Sequence, residues 1–154
     1  MDMAYKEAVK AMKEDEVPVG AVIVKDGIVV ARAHNKKEKN NNPIAHAEIE
    51  CIRKANKKLN DWYLKDCEMY VTLEPCTMCV GALINARVKC VYYGARDLKG
   101  GALGGLYNLM NQEGFNHYFK YEYLENEKCS VILKDYFKSK REQKSVKKEL
   151  EVTI

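Results

Sequence analysis

No apolar run in this sequence approaches the roughly 18 residues that a membrane-spanning helix requires. The first ten residues, MDMAYKEAVK, are charged and amphipathic and do not read as a secretory signal. The expectation is a cytoplasmic protein with no membrane partner. Without a signal, the six cysteines (Cys51, Cys67, Cys76, Cys79, Cys90, Cys129) read as reduced thiols, not as a disulfide framework. Charge of one sign is in only slight excess: the formal net charge of +4 permits a polyanionic partner without requiring one. There is no internal repeat and no sign of a second domain. With 47% hydrophobic and 31% charged residues the composition is that of a globular protein, which excludes disorder. Its 154 residues suit one domain with a real core. We read residues 1–154 as that domain, ending from about 138 in a basic tail, KSKREQKSVKK, with six basic residues against one acidic.

Ala4, Ala8, Ala11 and Met12 recur at helical spacing and predict a first helix over 2–14. Two β-branched runs follow, split by Asp26-Gly27, a strong hairpin signal. The Asn-rich stretch 35–43 reads as a loop, and 44–58 as a helix with Ile49, Ile52 and Ala55 inward. CEMYVTL (67–73) predicts a strand, which Pro75 stops while suiting a helix start. A buried helix over 77–86, a strand over 88–95 and a Gly-rich loop over 97–105 come next. A short helix, a weak extended piece near 119–124 and a last helix from about 126 complete the chain. Alternating strands and helices imply an α/β fold with a partly parallel sheet covered by helices.

Chemistry concentrates in two short stretches. In EPCTMC, Cys76 and Cys79 stand three apart at a predicted helix start. Residues at i and i+3 share a face there, and free N–H groups favour thiolates. Alone, such a pair reads equally as a redox couple, half of a structural zinc site or two buried cysteines. A structural zinc needs a second Cys or His pair at similar spacing, and none exists. The sequence instead offers His46 in IAHAEIE, at another predicted helix start. Helix starts gather at the C-terminal edge of such sheets, so His46, Cys76 and Cys79 can converge as three ligands with a fourth position open, the catalytic zinc pattern. Glu48 then becomes the proton carrier for a water in that position. On a regular helix His46 and Glu48 diverge by about 200°, so they can share a site only at the very start of one. His34 reads as a hydrogen-bonding or surface residue.

H-x-E followed by P-C-x-x-C is the signature of zinc-dependent nucleobase deaminases. Around it, EVPVGAVIV, the His34-Asn35 pair, AHAEI, MYVTLEPCTMC, YYGARDLKGG and GFNH resemble TadA-type tRNA-specific adenosine deaminases, from about Ala4 to Lys144. That resemblance implies a three-layer α/β/α cytidine-deaminase-like fold with a central mixed five-stranded sheet. It implies a homodimer with one zinc ion per subunit, acting on the anticodon stem-loop of an arginine tRNA to convert the wobble adenosine to inosine. His46, Cys76 and Cys79 match the metal ligands and Glu48 the proton shuttle. Asn35 matches a nucleoside contact and Val19 a wall of the base pocket, while Ala47 and Pro75 lie where backbone faces the base. Asp97 and Lys99 match a loop near the ribose and backbone, and Asn116 and His117 a segment along the anticodon path.

Three positions depart from the family pattern: Tyr118 where arginine is frequent, Gly105 where serine is common, and Tyr136-Phe137 where two phenylalanines are usual. In the basic tail, Lys138, Lys140, Arg141 and Lys144 can meet phosphates, with Phe137 against a base. A guanine or cytosine/cytidine deaminase would use the same zinc core. A zinc-stabilised binding module and a thiol oxidoreductase are the readings from other classes.

Overall fold

The computed structural model describes residues 1–152; residues 153 and 154, the end of the predicted 1–154 domain, lie outside the described residues. Helix α1 (Asp2–Lys13) leads into the hairpin β1 (Gly20–Lys25) and β2 (Ile28–His34). Asp26 and Gly27, at φ of 50° and 75°, make the turn, as the mirror-type hairpin turn demands. Helix α2 (Ala47–Leu59), strand β3 (Cys67–Leu73), helix α3 (Thr77–Asn85) and strand β4 (Cys90–Ala95) follow. The predicted short helix is a single 3₁₀ turn at Leu109–Asn111, and the weak extended piece is strand β5 (Lys120–Tyr123). Helix α4 (Glu127–Val152) completes the described chain.

The five strands form one mixed sheet in the order β2-β1-β3-β4-β5. β1 pairs antiparallel with β2 and β3, whereas β3, β4 and β5 run parallel. Helices α1 and α4 pack on each other and on the sheet, and α2 packs on β1, β2 and α3, giving the three-layer cytidine-deaminase-like arrangement. No helix among the described residues is long and apolar enough to cross a membrane.

Ala4, Ala8 and Ala11 are fully buried and let α1 lie close on β1. The approach is so close at Gly20 that a Cβ there would stand 2.0 Å from the Ala4 carbonyl oxygen. Met12 is instead exposed, since it falls off the alanine stripe. On α2 the inward face is Ala47, Glu48, Cys51 and Ala55, with Ile49 and Ile52 only half-buried. Small side chains and a carboxylate take the most buried positions because this helix carries the site; Ile52 packs against the edge of the core, whereas Ile49 does not join it. Cys51, Cys67, Cys90 and Cys129 are buried free thiols packed in the core.

Candidate active site

Strands β3 and β4 end side by side at Leu73 and Ala95, and the chain after each forms one wall of a cavity of about 640 Å³. The remaining walls come from the start of α2, the loop before β1 and one face of α4. Leu133, Phe137 and Arg141 reach it from α4 because they repeat at i, i+4 and i+8.

The metal-ligand candidates meet beside this cavity: His46 and Cys76 line it, and Cys79 is buried behind them. His46 is the N-cap of α2 and Cys76 the N-cap of α3, both extended in backbone, with ψ of 153° and 175°. This resolves the angular difficulty between His46 and Glu48: His46 stands outside the helix and Glu48 is its second residue. Pro75 likewise precedes the N-cap and does not open the helix. His46 Nδ1 is 3.7 Å from Cys76 Sγ and 3.6 Å from Cys79 Sγ, and donor atoms of the three all lie within 4.8 Å of one another. Bonds of about 2.0 Å to nitrogen and 2.3 Å to sulfur in a tetrahedron put two such ligands about 3.6 Å apart. The triad therefore fits a zinc ion.

Its electrostatics point the same way. Hydrogen bonds from Cys79 and His46 push the Cys76 thiol down to about 4. Cys79 is pushed up by its bond to Cys76, by burial and by Glu48. His46 is raised, chiefly by Cys76, and burial lifts Glu48 to about 7. Two thiolates cannot both ionise side by side without a cation, and a bound dication favours the thiolate form of each. The Cys79 thiol donates to Glu48 Oε2 at 3.4 Å, so the carboxylate touches the ligand set.

Val19, Asn35, Asp97, Lys99 and Phe137 line the same cavity. Asn35 is buried, and its Oδ1 accepts the Ala47 N–H at 2.8 Å, holding the start of α2 in place. That N–H is thereby engaged, and the Pro75 carbonyl accepts from Ala102 N. Asp97 Oδ1 accepts from Lys99 N and Gly100 N at 3.0 and 3.1 Å and so closes its own turn. Asn116 and His117 are not brought to the cavity within this chain: His117 Nε2 is 2.9 Å from the Val88 carbonyl, before β4 begins and at the far end of the sheet. Tyr118 ties its own loop, donating to the Gln112 carbonyl and accepting from Phe115 N. Lys140 is held by Asp15 at 2.6 Å. His34 is buried, with Nδ1 and Nε2 each 3.0 Å from a carboxylate oxygen, of Glu7 and Glu14 respectively.

Three charged lining residues escaped the sequence reading: Lys37, Glu74 and Arg96. Lys37 and Arg96 join Lys99 and Arg141 in a cationic rim, which suits phosphates. Lys37 lies in none of the quoted segments, whereas Arg96 stands inside YYGARDLKGG.

The model of the MafB19-like deaminase family matches residues 1–141. A relative in Aquifex aeolicus is 43% identical over 141 residues, covering 92% of this chain and 93% of its own. One in Bacillus subtilis is 46% identical over 145 residues, covering 94% and 90%. Both are named tRNA-specific adenosine deaminase. A solved structure from studies of A-to-I editing by tRNA deaminases at the wobble position of transfer RNA superposes with a TM-score of 0.81 at 42% identity, covering 86% of this chain and 97% of that one. A guanine deaminase from Bacillus subtilis superposes with a TM-score of 0.61 at 31% identity, covering 89% and 90%.

Proposed function

The chain belongs to the family of tRNA-specific adenosine deaminases, and from that premise we propose that it hydrolyses adenosine to inosine, with release of ammonia, at the wobble position of a tRNA. The preferred substrate is the anticodon stem-loop of an arginine tRNA. The observation that carries this reading is the meeting of His46, Cys76 and Cys79, with Glu48 against Cys79, beside a cavity that Lys37, Arg96, Lys99 and Arg141 also line. A free-base deaminase has no use for a rim of four cations, whereas a polyanionic loop has.

His46, Cys76 and Cys79 would hold one zinc ion per subunit. Bound there, zinc supplies a water acidified from a pKa of 15.7 to about 7. Glu48 has the other half of the chemistry. Its Oε2 lies against the ligand set, and burial raises its affinity for a proton, which suits a carboxylate that takes a proton and returns it. Glu48 accepts one proton from the attacking water and delivers it to ring N1, then takes the proton left on the new C6 hydroxyl and passes it to the departing amine, which leaves as ammonia. The Asn35 amide, with its oxygen bound to Ala47 N–H, has its NH₂ left to donate to the base. Val19 and Phe137 supply apolar walls against which a flipped base packs. The protein works as a single deaminase domain, as a homodimer, in the cytoplasm.

The test is inosine formation on an anticodon stem-loop with a wobble adenosine, beside guanine and cytidine. Inosine from the stem-loop alone supports the reading. Turnover of guanine or cytidine with the stem-loop untouched overturns it.

A further inference from the structure

Glu74 is 2% exposed and carries a carboxylate, yet no part of the chemistry above uses it. All of its side-chain hydrogen bonds come from one loop. Oε2 accepts the Asp97 N–H at 2.9 Å, and Oε1 accepts those of Leu103 and Gly105 at 2.9 and 2.7 Å. Three backbone donors from both ends of the 97–105 segment thus converge on one side chain, as they do around a bound anion. Two glycines of that loop, Gly101 and Gly105, are explained by the same contact. A Cβ on Gly101 would stand 2.3 Å from the Glu74 carboxyl carbon, and one on Gly105 would stand 2.4 Å from Oε2 and 2.1 Å from the Asp97 carbonyl oxygen. Backbone must approach the carboxylate this closely for the N–H groups to reach it.

The loop is also fastened to the segment that bears the metal ligands. Ala102 N donates to the Pro75 carbonyl at 2.9 Å, and Cys76 and Gly101 form an isolated antiparallel bridge. Asp97 and Lys99, at the front of the loop, reach the cavity. We propose that Glu74 is a positioning residue for the substrate: its buried carboxylate is the fixed internal anion around which the 97–105 loop folds. It thereby sets Lys99 and Asp97 where the nucleic-acid backbone enters. The proposal rests on the deaminase reading for its substrate, but the fold of the loop can be read without it.

The test compares full-length, zinc-loaded wild type with Glu74→Gln. An amide replaces one acceptor oxygen by an NH₂, so at least one of the three N–H groups loses its partner. For the wobble-adenosine stem-loop, KM should rise about tenfold or more while kcat stays within about threefold. Zinc should remain at one per chain, and trypsin should cut after Lys99 faster than in wild type. Adding Lys99→Ala should cost less in the Glu74→Gln background than in wild type, because the lysine is already misplaced. Unchanged KM and unchanged cleavage would overturn the proposal. So would loss of zinc together with kcat, which would assign Glu74 to the metal segment instead. Should Glu74→Gln fail to fold, Gly105→Ala keeps the carboxylate while crowding the loop off it, and the same KM and trypsin outcomes apply. If wild type forms no inosine, the deaminase reading falls, and the trypsin comparison alone decides whether Glu74 holds the loop.

Discussion

In the proposed mechanism Glu48 is the residue on which the chemistry turns. It is buried and touches Cys79 without being one of the three ligands. Glu48→Ala should therefore keep zinc, read by metal analysis, while kcat falls by about 10²–10⁴-fold. Near-wild-type turnover would remove Glu48 from the mechanism. Asn35 has two duties, and the structural one is measurable alone. Asn35→Ala frees the Ala47 N–H at the start of α2 and should cost roughly 1 kcal/mol of unfolding free energy in denaturant titration. At this scale the sequence was most informative where a residue type has little other use. A histidine and two cysteines at helix starts pointed to a candidate metal site, and the structure brings their donor atoms within 4.8 Å of one another with His46 and Cys76 on the caps. Glu74 was illegible because its partners lie more than twenty residues away and are backbone N–H groups, which leave no trace in side-chain identity.

Among elements, α1 is held to the hairpin by close packing and by charge. His34, at the end of β2, reaches Glu7 and Glu14, and Glu7 also pairs with Lys10. Burial alone would raise Glu7, but the Lys10 and His34 bonds outweigh it and hold it below the usual 4.5. The His34 bond is the main cause of the lower value of Glu14. Both groups shed their protons more readily folded than unfolded. Their stabilisation is complete above 4.5 and is lost as pH falls through the lower folded values. Unfolding free energy should thus decline on acidification below about pH 5, and more shallowly in Glu14→Gln; identical slopes would show that the cluster contributes nothing. Gly20→Ala should push α1 off β1 and cost about 1–3 kcal/mol, seen as a lower denaturant midpoint. Elements with a local signal, such as the Asp26-Gly27 hairpin and the alanine stripe, were legible. The inward face of α2 was legible in part: Ala55 and Ile52 do meet the core, but hydrophobicity also favoured Ile49 where the fold buries Ala47, Glu48 and Cys51. The loop of Asn116 and His117 was placed by motif alone, and no periodicity indicated that it returns to the far end of β4.

Lys37, Arg96, Lys99 and Arg141 line the cavity, and residues 138–148 of α4 carry six basic residues against one acidic. The buried residues of α4 are Cys129, Ile132 and Leu133, so the helix beyond Phe137 contributes charge more than core. Affinity for the stem-loop should fall as salt rises. Removing residues 138–154 should preserve the fold while making the log–log salt slope shallower by about 1 or more. A slope that truncation leaves unchanged would place all phosphate contacts on the rim formed by Lys37, Arg96 and Lys99. The central claim is that this site and its rim together deaminate adenosine within RNA. It is tested most directly by incubating the zinc-loaded protein with an anticodon stem-loop bearing a single wobble adenosine and quantifying inosine. The account predicts stoichiometric conversion, lost in Glu48→Ala and absent with free guanine or cytidine; deamination of either small molecule with the stem-loop unaltered would contradict it.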